Sequence, residues 1–483
     1  MQAVLASRAT RVWLSVTAVA VVASAVHRWS FGAQSFFMDE IWVVEMVTAG
    51  RYAPGAVPQP PLYFFAAVLA SRLCGLGELC LRLPALVASV LLTCVPFLAW
   101  RWSRTAIRPT TVAVWTILLG FSSPIAFYAA RTKQYTTEAL GSALLLASFL
   151  AVLAAPEEKR RWRWYFVLAA VLVPLLHSAA LVIAGTGTAL LLVAWRRDRR
   201  RAVRVLLAHA GLAVLFGVCY LAYMRPGPEA TQTFGDLYDY FRANAEPVFF
   251  DGSFRFLVRR TAHWAGQMLN LTPGFVVVAL APTALWLLLR RNLTNVAIAT
   301  ACVLPPLLVL AISAAEIYPY GEVRLMIFAA PGLFLLIAVA VGQLTSGIDR
   351  RVTMPVAAVS AVLLVLFISR ELRMRPYDAT YMRAADIRTS YAVLRARHAS
   401  GIPIVARKAD AVTFRHYLPS KARDAVMIPN DAASFAFEPR VPEVWTFLRK
   451  SDVVRLRKLE RCTAVERFVE REMVLTRLRC GRS

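Results

Sequence analysis

Charge is scarce in this chain: Asp, Glu, Lys and Arg make up 17% of its 483 residues, whereas apolar types make up 58%. That balance excludes a string of soluble domains, which carry about 25% charged residues. Acid is scarcer still, with 29 Asp and Glu against 55 Lys and Arg and a formal net charge of +26. In a soluble protein such an excess would point to nucleic acid. Here the basic residues gather in short clusters between hydrophobic runs, which is the pattern of membrane topology, and no nucleic-acid partner is expected. Also missing are the ~10-residue alternating segments of a β-barrel, any repeat of roughly 20 to 50 residues, a glycine-rich nucleotide loop, and any Cys or His pair with zinc spacing.

What is present is a series of long charge-free runs, among them Arg82 to Arg101, Arg108 to Arg131, Glu138 to Glu157 and Arg324 to Asp349. Each supplies the roughly 20 apolar residues that cross a ~30 Å hydrocarbon core. Spans are expected at 12–26, 83–100, 112–130, 136–155, 203–223, 272–289, 295–315, 325–344 and 352–369. The run 164–195 is too long for one ordinary helix, and two short helices meeting near His177, just after Pro174, return the Arg196 to Arg201 cluster to the cytoplasmic side. The count is about eleven transmembrane helices, with the N-terminus inside. Ala23-Ser24-Ala25 offers a signal-peptidase alternative, but an uncleaved anchor is the preferred reading. The domain plan is a transmembrane module over 1–370, with outer loops at 31–82 and 224–271, followed by a small extracytoplasmic α/β domain over 371–483. The stretch 62–73 is too short to span and reads as an interfacial helix. In the tail, strands are expected at 402–406, 425–428, 444–447 and 473–475, with helices at 381–397 and 410–418.

Cysteine usage agrees with this topology. Cys94, Cys219 and Cys302 fall in spans, whereas Cys74, Cys80, Cys462 and Cys480 fall in outer regions, where an oxidising compartment permits bridges. Cys462 with Cys480 is the favoured pair, and Cys74 with Cys80 is the other.

The chemistry-bearing residues collect at the outer face. Asp39 and Glu40 lie about ten residues past the first hydrophobic segment, just outside the hydrocarbon, where charge is tolerable. The alternative for Asp39 is to cap a short helix over 41–48 that stops at Gly50. Gln59, Tyr63, Arg131, Lys133, Tyr135, His177, Glu316, Tyr318, Tyr320, Glu322 and Arg324 join them. Acids and cations converging beside a bilayer suit transfer from an anionic lipid: a carboxylate deprotonates the acceptor hydroxyl and cations stabilise the departing phosphate. Each cation also has a structural alternative. Arg131 and Lys133 could end a helix by snorkelling, His177 could be a hydrogen-bonded turn residue, and Arg324 could pair with Glu316 or Glu322.

This ordered set resembles the membrane-embedded GT-C glycosyltransferases, especially the family 39 group of protein O-mannosyltransferases and lipid A aminoarabinose transferases. The likeness rests on Asp39-Glu40, on Gln59-Pro60-Pro61-Leu62-Tyr63, on Arg82-Leu83-Pro84-Ala85 and on Arg131 to Tyr135. His177 between two short helices, and Tyr318 to Arg324 before a Pro331-containing span, complete it. The resemblance implies a polytopic α-helical GT-C fold and a cell-envelope enzyme of a bacterial cytoplasmic membrane, with its active site and tail outside. It further implies inverting transfer of a hexose or pentose from a polyprenyl-phosphate donor to a glycan, lipid or protein acceptor. Asp39 is then the catalytic base; Glu40 orients it, binds the sugar or holds a divalent metal with it. Arg131 and Arg324 become phosphate candidates, with Lys133, Tyr135, His177, Gln59 and Tyr63 as further binding residues. Two features depart from the pattern. Gln59 stands where the aminoarabinose transferases carry a lysine, which passes the phosphate role to other cations, and the tail has no carbohydrate-binding or β-trefoil module. The rival classes are a lipid or glycan flippase or transporter, and a glycan polymerase or ligase.

Overall fold

The computed structural model describes residues 2–29, 38–50, 60–103, 106–224, 249–269, 293–344, 388–397, 402–407, 416–418, 425–428, 443–449, 462–470 and 473–480. The chain divides into two compact units, one of residues 1–32 and 50–377, the other of 33–49 and 378–483.

The first unit is helical. Its elements are α1 (Gln2–Trp29), α3 (Pro61–Cys74), α4 (Glu78–Trp102), α5 (Pro109–Phe121), α6 (Ser123–Ala129), α7 (Tyr135–Ala154), α8 (Lys159–Leu172), α9 (Ala179–Arg197) and α10 (Arg199–Cys219). A π-helical turn (Tyr220–Met224), α11 (Phe254–Leu269), α12 (Leu293–Ala314), a 3-10 turn (Ile327–Ala329) and α13 (Ala330–Leu344) follow; α2 (Met38–Ala49) belongs to the second unit. Among the described residues six helices are long and apolar enough to cross a membrane: α1, α4, α7, α9, α10 and α12. The bent pair α5–α6 makes a seventh if counted as one span. The chain is a multi-pass helical membrane protein.

The sequence-based count of about eleven differs from this for identifiable reasons. Expected spans 272–289 and 352–369 lie outside the described residues. The helix preceding the 173–178 break is only 14 residues long, and 325–344 is a 3-10 turn followed by a 15-residue helix. The expected span 112–130 is broken: α5 and α6 meet at 57°. Pro124 in the first turn of α6 disfavours continued helix at the residue before it. The break leaves carbonyls of the last turn of α5 without helical partners. The fully buried guanidinium of Arg28, at the end of α1, takes them up, donating to the carbonyl oxygens of Leu119 (2.7 Å) and Gly120 (3.0 Å) and also to that of Ser89 (2.6 Å).

α7 is the central helix. Apolar or small on every side, it must be enclosed by protein: 83% of its most apolar stretch is buried, against 17% for α10 on the periphery. A disulfide joins Cys74, at the end of α3, to Cys80, in the first turn of α4.

Among the described residues the second unit holds α2, α14 (Arg388–Arg397) and five strands: β1 (Ile404–Arg407), β2 (Ala425–Ile428), β3 (Glu443–Arg449), β4 (Cys462–Glu470) and β5 (Met473–Cys480). They form one sheet in the order β2-β1-β3-β5-β4, with β1 parallel to β2 and β3, and β5 antiparallel to β3 and β4. Alternate residues Ile404 and Ala406, Trp445 and Phe447 share a core with Leu475 and with Tyr391 and Leu394 of α14. Past Trp445 the β3–β5 register ends in ion pairs: Glu443 with Arg477 at 2.7 Å and Arg479 at 3.1 Å. These arginines hold the Glu443 carboxyl below its usual range, Arg477 contributing most. The register sets Cys462 directly opposite Cys480.

Candidate active site

The chain passes from α6 to α7 through a tight turn in which the Arg131 N–H donates to the Tyr128 carbonyl (3.3 Å) and the Lys133 N–H to the Arg131 carbonyl (2.8 Å). Arg131 and Lys133 are 3% and 6% exposed, so neither cation reaches out to solvent, and the snorkelling alternative falls. The Arg131 guanidinium lies 4.8 Å from the Phe127 ring centroid, a cation–π distance. Tyr135, the first residue of α7, sets its ring 4.7 Å from that of Tyr128.

One turn further along α7 stands Glu138, a buried carboxylate that sequence reasoning passed over. Its two oxygens accept the backbone N–H of His177 (3.0 Å), the backbone N–H of Ser178 (3.0 Å) and the Ser178 hydroxyl. Those amides lie at the start of α9, where helix geometry leaves N–H groups without partners. Glu138 therefore caps α9 from another helix and fixes the break at His177. The signal was present in the sequence: a lone acid in an otherwise charge-free run of a spanning helix needs a partner. The His177 backbone is thus a hydrogen-bonded turn, as its structural alternative held. Its imidazole Nε2, however, is buried with no hydrogen-bond partner among the described residues. Burial lowers the pKa of His177 from 6.5 to about 4, so the ring is neutral near pH 7.

The third part of the site is the turn between α12 and α13. Tyr318 donates its hydroxyl to the Leu325 carbonyl (2.8 Å). Its phenol is pushed upward first by burial and then by Glu138, Tyr135 and Glu322, with Arg324 acting in the opposite sense. The 3-10 turn Ile327–Ala329 that follows packs against α7. Arg324 Nε lies 3.3 Å from Glu322 Oε1, so it pairs with Glu322. The turn is held from the side by α11. Tyr320 shares a 2.8 Å hydrogen bond with Thr261, and the Arg260 Nε–H donates to the Tyr320 carbonyl (3.4 Å). Gly321 is required here: its φ is +75°, and a Cβ would stand 2.8 Å from Arg260 Cβ. Tyr63 is fully buried on α3, and Gln59 lies outside the described residues. Glu316 is exposed.

Asp39 and Glu40 stand on α2 in the second unit. The helix begins at Met38, so Asp39 is inside its first turn and not the residue before it, unlike the capping alternative. An acid in that turn is favoured by the helix dipole. Glu40 is 1% exposed, and the helix stops where Gly50 turns to a φ of +62°. Among the described residues no group of three or more His, Cys, Asp or Glu could hold a metal ion.

Buried cations and a capped helix break at one end of a multi-pass bundle define a membrane-embedded helical protein with a polar site at its rim. No protein-family pattern and no curated protein sequence matches the chain. Its fold does match solved structures. ArnT from Cupriavidus metallidurans, bound to undecaprenyl phosphate, aligns with a TM-score of 0.54 and 14% identity over 95% of this chain and 97% of that one. The apo state of ArnT gives 0.55, also at 14% identity, over 97% and 98%. The oligosaccharyltransferase of Archaeoglobus fulgidus, in complex with zinc and sulfate, gives 0.50 at 11% identity over 88% and 67%. ArnT, a lipid A aminoarabinose transferase, and the archaeal enzyme are both GT-C glycosyltransferases, and this chain has their fold.

Proposed function

We propose that this protein is a glycosyltransferase that moves a sugar from a polyprenyl-phosphate donor to an acceptor at the outer face of a bacterial cytoplasmic membrane. The observation that carries the reading is the fold shared, over nearly the full length of both chains, with an ArnT that binds undecaprenyl phosphate. The cations gathered at the α6–α7 turn support it, because guanidinium and ammonium groups at one end of the bundle suit an anionic lipid donor. On this reading residues 1–370 form the transmembrane module of about eleven spans and 371–483 an extracytoplasmic domain, with the Cys74–Cys80 disulfide on the oxidising side.

The reaction is a single displacement. The acceptor hydroxyl oxygen attacks the anomeric carbon, the carbon–oxygen bond to the phosphate breaks, and polyprenyl phosphate leaves with the electron pair, which inverts the anomeric centre. Asp39 takes the hydroxyl proton as general base, with Glu40 as its neighbour. Arg131, Lys133 and Arg324 offset the charge on the departing phosphate; Arg suits this because its planar fork binds phosphate oxygens in pairs. Tyr135, His177, Tyr63 and Gln59 line the donor. The sugar, hexose or pentose, and the acceptor, a glycan, lipid or protein, are open to direct assay.

Incubating the purified protein with a panel of polyprenyl-phosphate sugars and membrane acceptors should release free polyprenyl phosphate from one donor and label an acceptor. A well-folded preparation that consumes none of them would contradict the reading.

A further inference from the structure

The end of the first unit opposite the α6–α7 turn carries a charge imbalance that the transfer reaction does not use. Among the described residues three acids stand there and all are engaged. Glu157 pairs with Arg201 (2.9 Å) and Arg197 (3.6 Å), Glu158 pairs with Arg161 (2.6 Å), and Asp198 accepts the Arg200 N–H (2.9 Å) at the start of α10. Lys159, Arg160, Arg163, Arg196, Arg200 and Arg204 are exposed, and none has an ion pair among the described residues. The cations are held at one level by the backbone. Arg201 donates to the Pro156 carbonyl (2.7 Å), tying the start of α10 to the loop before α8, and Arg161 donates to the carbonyls of Trp102 and Ala151 (both 2.8 Å), tying in the ends of α4 and α7.

α8 and α10 run side by side from this level, the Phe166 and His209 rings 5.2 Å apart. Each continues its exposed cations into an exposed apolar stripe. On α8, Arg160, Arg163 and Trp164 are followed by Val167 and Val171; on α10, Arg200 and Arg204 are followed by Leu207, Val214 and Val218. With Phe166 and His209 at one level and 1.5 Å of rise per residue, the four arginines fall within about 9 Å of one another along the helix axes. A cation cluster below the exposed apolar stripes of α8 and α10, the longer running from Leu207 to Val218, with the exposed indoles of Trp164 and Trp195 at the junction, matches a phospholipid in charge and in polarity along its length.

We propose that the paired faces of α8 and α10 form a binding site for an acidic phospholipid, its phosphate held by Arg160, Arg163, Arg200 and Arg204 and its acyl chains laid along Val167, Val171, Leu207 and Val214. The site stands whether or not the protein transfers sugar, because none of these residues belongs to the α6–α7 turn or its partners.

The test uses the full-length protein in detergent, with native mass spectrometry and thermal unfolding as readouts. Phosphatidylglycerol, phosphatidylcholine and inorganic phosphate are added separately at equal concentration. The proposal expects phosphatidylglycerol to bind at least tenfold tighter than phosphatidylcholine and to raise the melting temperature, and inorganic phosphate to do neither. Replacing the four arginines by glutamine should erase the tenfold preference, whereas replacing them by lysine should keep most of it. The pair variant Arg160→Gln with Arg163→Gln, on an exposed helix face, should lose part of it with unchanged melting in phosphatidylcholine. Equal binding of the two lipids by the native protein, a glutamine variant that keeps the full preference, or stabilisation by inorganic phosphate equal to that by phosphatidylglycerol would each overturn it.

Discussion

The two ends of α7 treat charge in opposite ways. Before Tyr135, Arg131 and Lys133 are buried, and Glu138 in the first turn is locked to the start of α9. Beyond Ala154, the cations of 159–163 and 196–204 are mostly exposed, and the acids near them among the described residues are Glu157, Glu158 and Asp198. Buried charge is expensive and persists where a ligand or a fixed geometry needs it, whereas exposed charge at a membrane surface costs little and orients the protein. Substitutions at one end should therefore behave as losses of specific chemistry, and substitutions at the other as losses of general attraction.

Arg131→Ala probes the buried end most strongly. If its guanidinium holds the donor phosphate, kcat/KM should fall by roughly 30-fold or more, the scale for truncating one partner of a buried charged contact. A rate within twofold of the native protein would place Arg131 with the exposed cations. Glu138→Gln should come next, at about tenfold in kcat/KM with a lowered melting temperature, because an amide cannot accept hydrogen bonds with both its heavy atoms. Ser178→Ala, which removes one of the three donors, should be milder. Equal melting for native and Glu138→Gln protein would show that the cap on α9 adds nothing.

A pH titration of melting isolates His177. The folded pKa, about 4, lies below the ordinary 6.5, so between those values the unfolded chain binds the extra proton. Stability should be level above pH 6.5 and fall as pH drops toward 4. His177→Asn should flatten that part of the profile, and an unchanged profile would remove the residue from the buried set. At the exposed end, Arg160→Gln with Arg163→Gln should alter turnover by less than about twofold in a fixed lipid mixture; a larger loss would break the contrast.

Much of this was legible in the sequence because membrane spans announce themselves as charge-free runs, and because the run around Pro174 and His177 was too long for one helix. What escaped depended on distant partners or on broken periods. Arg28 finds its acceptors on α4 and α5, 61 to 92 residues away, and no local pattern encodes that. The bend at Pro124 was hidden inside an apolar run of the right length. β4 was missed because a register irregularity between Ala464 and Glu466 breaks its alternation, and as an edge strand it exposes Thr463, Val465 and Arg467. Arg131, Lys133, His177 and Arg324 were singled out by charge and position. Glu138 was not, since it served only to mark the end of a hydrophobic run.

The central claim, that this chain performs base-assisted sugar transfer, rests most directly on Asp39. Asp39→Asn keeps the size of the side chain and an accepting oxygen in the first turn of α2 while removing the ability to take a proton. Turnover of the purified variant with the identified donor should fall by roughly 10² or more, with expression and melting close to those of the native protein. An Asp39→Asn protein that melts normally and transfers sugar at the native rate would contradict the account.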